Sequence, residues 1–260
     1  MKAKPEVEGE LLHAKHALQP NSLGYCGPDE NATILDHLHS SSVSEDLTTM
    51  LTKFEAAYPF VRMIAKSTGR SPFDKEVTEA YWIGNSLLDR VEPSDFYQFT
   101  HQGLGKRMKK PEAKKIFREV GGLAKPHHTF YVLGMYSRSN IKTANQSKLL
   151  ELMDSCRVSW GRVLDIKRDT LVVARSPLSL VEDRLALTRA EKKEVRFDPQ
   201  IPPFSSIRKG DYVSLHWNFA SERLSAVQLR NLRSYTAKDI EATNRIVASS
   251  SSSSPSNRSP

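Results

Sequence analysis

The sequence has few cysteines, no long apolar run and no secretory signal. Its 260 residues include two cysteines, Cys26 and Cys156, and no C-x-x-C pair of the kind that binds structural zinc. No run approaches about eighteen consecutive apolar residues, which argues against a membrane-spanning helix. The amino terminus lacks the apolar block of a signal peptide. We therefore expect a cytoplasmic protein with two free thiols.

Common enzyme signatures are missing as well. The sequence has no P-loop, no G-x-G-x-x-G, no H-E-x-x-H and no G-x-S-x-G. We assign no catalytic residue and expect the protein to act by binding. With 38% hydrophobic and 26% charged residues, the composition is that of a globular protein with a sizeable core.

The net charge of +8 is unevenly distributed along the chain. Residues 1–105 carry 9 basic and 15 acidic side chains, whereas residues 106–125 carry 8 and 2. Residues 156–260 carry 18 basic and 11 acidic side chains. A basic surface attracts nucleic acid, anionic lipid or an acidic protein, and it also serves as an ordinary solvated face.

The first half has the pattern of helices. Apolar residues at spacings of three and four over 47–65 predict one helix that follows Ser44 and stops near Gly69. The residues S-P-F-D at 71–74 are typical of a capping box with proline at the first helical position. We expect the helix that follows to contain Gly84, where another helix packs closely, and to end at Pro93.

Further helices and a strand complete the first half. A basic helix is predicted between Pro111 and the glycines at 121–122. Residues 129–136 are rich in β-branched and aromatic side chains and predict a strand. Residues 148–153 predict a short helix that leads into Cys156.

At Cys156 the hydrophobic period changes from 3.6 to 2, which predicts strands. A second capping box at 225–228 opens a terminal amphipathic helix. The fold class is therefore α+β: a mainly helical domain over 1–150, then a small OB-like β-barrel with a C-terminal helix over 155–247. A Ser-rich tail over 248–260 is predicted to be disordered. The predicted strands lie near 158–164, 171–173, 185–188, 194–197 and 212–217.

Two sequence blocks in the second half suggest a family. Residues 156–166 read C-x4-G-x-V-x-x-I, and residues 210–220 read G-D-Y-V-x-x-H-x-x-F-A. With the helix that follows, the region over about 156–245 resembles the small hydrogenase assembly chaperones of the HypC/HupF type. The first 150 residues look like an uncharacterised bacterial family. The 53 residues between Cys156 and Gly210 exceed the usual separation, and we infer an extra hairpin around 183–200.

The resemblance implies a role in [NiFe] hydrogenase maturation. In that family a cysteine and a partner protein hold an iron, and the chaperone then docks on the hydrogenase large subunit. The matching positions here are Cys156 and His216, which become candidates for contact with a partner or with transiently bound iron. A thiolate is a soft ligand that suits low-spin iron, and an imidazole can ligate it or hydrogen-bond to it. A barrel kept for docking alone fits the same residues.

A second candidate site lies in the first half. Cys26 precedes Asp29 in a Gly-Pro turn, where a helix amino terminus would lower the pKa of its thiol and suit a thiol-dependent enzyme. His127 and His128 are possible partners of Cys26 in a metal site, although on a strand only one of them would face it.

A binding function of another class remains open. The basic second half carries Trp160, Trp217 and Tyr212, which could stack on bases in a nucleic-acid-binding barrel.

Overall fold

The structure is a computed structural model that describes residues 5–103, 117–118, 120–136 and 146–251. Helices occupy the described part of the first half, with a short 3₁₀ turn at Ser86–Arg90 and another at Gly121–Leu123. None of the described helices is both long and apolar enough to cross a membrane. The helices are α1 (Pro5–Ser22), α2 (Asn31–Ser40), α3 (Glu45–Thr52), α4 (Tyr58–Thr68), α5 (Lys75–Trp82), α6 (Pro93–Gly103), α7 (His128–Tyr136) and α8 (Gln146–Cys156).

The second half is a β-sheet region followed by α9 (Ala226–Ser251), as predicted. Five strands pair in the ring order β1-β2-β5-β7-β6, with β6 returning to β1. The contact between β5 and β7 is parallel and consists of one pair, Arg196 with Phe219, so the ring is thin at this seam. Such a partly open five-stranded arrangement is OB-like. The strands are β1 (Ser159–Ile166), β2 (Thr170–Arg175), β3 (Leu178–Val181), β4 (Arg184–Leu187), β5 (Glu191–Arg196), β6 (Tyr212–His216) and β7 (Phe219–Leu224).

The extra hairpin inferred from the long spacing is present. β3 and β4 form a separate two-stranded sheet over 178–187, earlier in the chain than the predicted 183–200. The glycine of the first sequence block is Gly161. A Cβ at this position would lie 2.8 Å from Cβ of Val173 and 3.2 Å from Cδ1 of Leu215. β1 therefore passes too close to β2 and β6 for a side chain at this position.

The strand predicted over 129–136 is wrong, because these residues form helix α7. Phe130, Val132 and Leu133 are all buried, although they lie on different sides of the helix. A helix that is apolar on all sides has no amphipathic stripe. Its sequence therefore cannot be distinguished from that of a buried strand by hydrophobic periodicity. α7 packs against α9.

Two helix predictions need correction. The stripe over 47–65 is divided between α3 and α4, with a turn at 53–57 and a proline at the start of α4. Ser44 caps α3 as expected, since its hydroxyl accepts the Leu47 N–H, and Gly69 ends α4. The cap of α5 is Asp74, whose carboxylate accepts from Glu76 N at 2.9 Å, so no helix begins at residue 72.

Helix α5 ends at Trp82, well before Pro93, because Gly84 adopts a positive φ of 90°. The close helix expected at Gly84 is α9, whose Tyr235 ring would lie 2.3 Å from an added Cβ. Pro93 begins α6.

The start of the terminal helix α9 was predicted correctly, whereas its end lies beyond the predicted boundary. The capping box is confirmed, since Gln228 N donates to Ser225 Oγ and Ser225 N donates to Gln228 Oε1. Helix α9 continues to Ser251, four residues into the predicted tail, and the disorder of that tail stays a prediction. Residues 252–260, and most of the predicted basic helix after Pro111, lie outside the described residues.

Apolar side chains of the two halves pack together. One buried cluster includes Leu18 and Ile64 of the helices and Val213 and Leu215 of β6. Helix α1 packs against both β6 and β7. The division into domains at 150–155 stays a prediction, and this shared packing brings helical side chains up to the barrel.

Candidate metal centre

Three side chains from distant parts of the chain meet in one buried place. Cys156 is the last residue of α8, His216 is the last residue of β6, and His128 is the first residue of α7. One potential ligand atom from each lies within 4.8 Å of the others. Cys156 thus ends a helix, three residues before β1 begins at Ser159. The structure thus joins the first predicted site with one residue of the second.

A tight turn brings His216 to Cys156. Trp217 and Asn218 have φ values of 52° and 59° and connect β6 to β7 as a two-residue hairpin. Two positive φ values in succession are typical of a type I′ turn, which matches the twist of paired strands. Trp217 N donates to Ser155 O at 2.8 Å, so the turn is fastened to the end of α8.

The protonation of His216 follows from its hydrogen bond. Its Nδ1 lies 2.6 Å from the carbonyl oxygen of His16, which can only accept, so Nδ1 carries the proton. Burial lowers the pKa of His216 to about 4, although the nearby carbonyls of His16 and Cys156 oppose this shift. The ring is therefore neutral, and Nε2 carries a lone pair. Nε2 is buried without a hydrogen-bond partner among the described residues.

The ring of His128 is fixed at both nitrogens. Nε2 donates to the carbonyl oxygen of Cys156 at 2.9 Å, and Nδ1 lies 3.1 Å from the hydroxyl of Tyr81. Burial, with a smaller contribution from His216, lowers the pKa of His128 well below its ordinary value. His128 is neutral, and its lone pair lies on Nδ1. The Tyr81 hydroxyl can donate its proton either to Nδ1 of His128 or to the carbonyl oxygen of Ala56, which lies 3.2 Å away.

The thiol of Cys156 is protonated at neutral pH. Burial raises its pKa to about 12, and the neighbouring thiol of Cys26 adds to the shift. The indole N–H of Trp217 lies beside the sulfur and opposes the shift, yet Nε1 forms no regular hydrogen bond within the described part of the chain. Coordination to a metal ion would convert such a thiol to a thiolate.

Comparison with known proteins identifies the family. A family model described as a family of unknown function, DUF6390, matches residues 5–250. The chain belongs to this family. The uncharacterised family expected for the first half is thus confirmed, and the match also spans the barrel and α9. No curated protein matches the chain, and no solved structure matches it.

Cys26 of this DUF6390 protein is not an activated thiol. It lies between α1 and α2, and α2 begins five positions later, at Asn31. Burial raises the pKa of Cys26 to about 11, so the expected lowering is wrong. Asn21 Nδ2 donates to the Cys26 carbonyl at 3.1 Å, which fixes the turn, whereas Asp29 is exposed. Cys26 influences the Cys156 thiol electrostatically but is outside the three-donor group.

His127 faces away from the centre. Its Nδ1 lies 2.6 Å from Oδ2 of Asp239 in α9, and both side chains are buried. The alternative of a Cys26–His127 metal site is therefore not formed. Burial raises the pKa of Asp239, and its contact with His127 opposes that shift.

Aromatic side chains of the DUF6390 protein enclose the centre. Trp82 lies 4.6 Å from the His128 ring and 5.5 Å from the His216 ring, measured between ring centroids. Trp217 stacks on Tyr25 at 4.1 Å, and Tyr25 is 57% exposed. The centre is therefore close to the surface but covered.

Sequence patterns did not identify Tyr81 or His16 as site residues. Tyr81 belongs to the apolar stripe of α5, and His16 lies within α1, so neither stands in a motif. Their contacts to His128 and His216 are tertiary, and His16 and His216 are 200 positions apart.

The proposed base-stacking residues of the barrel already have partners. Arg233 lies over the rings of Trp160 and Tyr212, at 5.7 and 5.4 Å from their centroids. Trp217 is stacked on Tyr25. These contacts use aromatic faces that stacked bases would require.

Proposed function

We propose that this protein is an accessory protein of [NiFe] hydrogenase maturation that acts by binding a hydrogenase large subunit or another maturation protein. The observation that carries the proposal is the meeting of two sequence blocks. Cys156 and His216 belong to separate blocks of the HypC-like pattern, and their potential donor atoms lie within 4.8 Å of each other. The pairing of β1 with β6, in which Ser159 lies opposite Leu215, brings the two blocks to the same end of the barrel.

The chemistry of the centre favours binding over turnover. A nucleophilic cysteine needs a lowered pKa, whereas burial raises the pKa values of both Cys156 and Cys26. Thiolate and imidazole are donors that suit low-spin iron, which the proposal treats as transient cargo. The same raised pKa values argue against the alternative of a thiol-dependent enzyme at Cys26.

The surface above the centre provides a docking region for the partner. Leu23 and Tyr25 are 48% and 57% exposed, and they belong to the turn whose Tyr25 stacks on Trp217, the residue beside the Cys156 thiol. Exposed apolar side chains next to a functional group are common at protein interaction sites. In this proposal the partner displaces the turn when it contacts Cys156, and the encounter takes place in the cytoplasm.

Affinity capture in a hydrogenase-producing host tests the proposal. The tagged full chain is expected to co-purify with a hydrogenase large subunit or a maturation protein, identified by mass spectrometry. Cys156→Ala should reduce this capture, and Glu241→Ala, on the surface of α9 away from the docking region, should leave it unchanged. Deletion of the gene should impair hydrogenase assembly. Normal assembly in the deletion strain, together with no such partner captured, contradicts the proposal.

A further inference from the structure

His128 is the one member of the donor group that lies outside the HypC-like region. It comes from the helical half, and the sequence pattern of the barrel gives it no role. Its ring nevertheless contacts the carbonyl of Cys156 and lies 5.1 Å from the ring of His216. The HypC-like pattern therefore does not account for the position of His128 beside Cys156 and His216.

We propose that His128 is the third protein ligand of a metal site completed by Cys156 and His216, and that the site takes a divalent transition ion such as zinc, cobalt or iron. The inference rests on the proposed function only for iron as the natural cargo. The three-ligand set itself depends only on the positions of the three side chains.

The spacing of the three donor atoms fits one ion. Metal–nitrogen distances of about 2.0 Å and metal–sulfur distances of about 2.3 Å place two nitrogens and one sulfur of a tetrahedral site roughly 3.3 to 3.6 Å apart. One donor atom from each residue lies within 4.8 Å of the others, so binding of one ion requires these atoms to approach one another by up to about 1.2 to 1.5 Å. Two imidazoles and a thiolate are ligands that zinc, cobalt and iron accept.

The hydrogen bonds leave the required lone pairs available. Nε2 of His216 is buried and forms no regular hydrogen bond within the described residues, although the Cys156 carbonyl lies near the ring, and a buried polar atom in this state is destabilising unless a ligand satisfies it. The Nδ1–H of His216 donates to a carbonyl, as does the Nε2–H of His128. Such carbonyl contacts are the usual second shell of metal-bound histidines, because they orient the ring.

Tyr81 can release the lone pair of His128. Its hydroxyl lies 3.1 Å from Nδ1 of His128 and 3.2 Å from the carbonyl oxygen of Ala56, so the proton can turn to Ala56 when a metal arrives. The metal–sulfur bond forms as the thiol proton of Cys156 leaves to solvent. No oxidant or reductant takes part in this exchange.

Three protein ligands leave a fourth position for an exchangeable group. Cys26 is outside the donor group, so the described part of the chain does not supply the fourth ligand from this thiol. Zinc sites with three protein ligands characteristically keep one position open. The indole N–H of Trp217, which lies beside Cys156 without a regular partner, is available to a ligand at that position.

A cobalt titration of the full chain under anaerobic conditions tests this inference. Wild-type protein should bind one Co²⁺ and show thiolate-to-cobalt charge transfer with the intense visible bands of a four-coordinate ion. Cys156→Ser should abolish the charge transfer, and Cys26→Ser should preserve it. His128→Gln keeps an N–H donor for the Cys156 carbonyl, and it should raise the dissociation constant more than about 100-fold, beyond a typical second-shell effect. His127→Gln is the matched control and should bind as wild type does.

A second measurement on the wild-type protein guards against a variant that fails to fold. Each ligating imidazole retains one N–H, so the proton NMR spectrum of the cobalt protein should contain two exchangeable, strongly shifted resonances. One such resonance, or unchanged affinity in a folded His128→Gln variant, overturns the inference. Neither experiment involves a hydrogenase, so cobalt binding can succeed where capture of a partner fails, and the reverse also holds.

Discussion

The rings of Tyr25 and Trp217 stack with centroids 4.1 Å apart and planes 13° from parallel. Tyr25 is exposed, whereas the indole N–H of Trp217 lies beside the Cys156 thiol. The stack therefore separates the candidate metal centre from solvent.

Removal of this stack should increase the reactivity of Cys156. An aromatic pair contributes about 0.5 to 1.5 kcal/mol, so Tyr25→Ala should raise the population of the open state, and with it the alkylation rate, about 2- to 12-fold. Mass spectrometry of the alkylated protein in a Cys26→Ser background measures Cys156 alone. Leu23→Ala removes a neighbouring exposed side chain and serves as the control. Equal rates in both variants would show that the stack does not protect the thiol.

The carboxylate of Asp154 should be essential for stability. It accepts from Arg157 Nη2 at 2.8 Å, also bonds Arg175, and accepts from Leu178 N at 2.9 Å. Arg157 is 0% exposed, and burial lowers its pKa to about 10. Asp154→Ala leaves a buried cation without its partner, which should lower the free energy of unfolding by about 3 to 5 kcal/mol in urea denaturation.

An exposed carboxylate provides the comparison. Glu241 pairs with Arg184 at 3.2 Å and with Arg245 at 2.9 Å on the surface of α9. Glu241→Ala should cost less than about 1 kcal/mol, because exposed ion pairs are screened by water. Similar losses for Asp154→Ala and Glu241→Ala would argue against a structural role for the buried carboxylate.

Gly84 should tolerate no side chain. Its φ of 90° is unfavourable for other residues, and an added Cβ would lie 2.3 Å from the Tyr235 ring. Gly84→Ala should lower the free energy of unfolding by about 2 to 5 kcal/mol, from backbone strain and overpacking together. Gly69 has a φ of 68° but open space around it, so Gly69→Ala should cost only about 1 to 2 kcal/mol. If the two losses were equal, the contact with Tyr235 would contribute nothing.

Buried neutral histidines should make the protein sensitive to mild acid. Burial lowers the pKa of His13 from 6.5 to about 3, so the folded state binds fewer protons than the unfolded state below pH 6.5. His13 therefore costs no stability above pH 6.5, and each pH unit below it removes about 1.4 kcal/mol. His13→Asn keeps an acceptor for Trp82 Nε1 and should reduce the slope of unfolding free energy against pH between 6 and 5 by that amount. Parallel curves for the variant and the wild type would refute this assignment.

Local sequence patterns predicted the elements whose burial is one-sided. The cap at Ser44, the end of α4 at Gly69 and the capping box at Ser225 all depend on neighbouring residues, and each was predicted. Helix α7 was mistaken for a strand because it is buried on all sides and has no helical period. Strand β7 was not predicted from the sequence. It is defined by its antiparallel pairing with β6, which is a tertiary feature.

The candidate centre was only half predictable, for a related reason. Cys156 and His216 stand in sequence blocks, whereas His128 is defined by how α7 packs beside α8 and the barrel. The backbone carbonyls of His16 and Cys156 determine which ring nitrogen of each histidine carries the lone pair. Every residue has a backbone carbonyl, so sequence patterns do not show which ones act as these acceptors. Tertiary packing decides these features.

X-ray absorption at the zinc edge of the full chain loaded with one equivalent of Zn²⁺ tests most directly whether Cys156, His128 and His216 form one metal site. The predicted first shell contains one sulfur at about 2.3 Å and two imidazole nitrogens at about 2.0 Å, with the outer-shell scattering of two histidine rings. A first shell without sulfur, or with scattering from fewer than two imidazoles, would contradict the account.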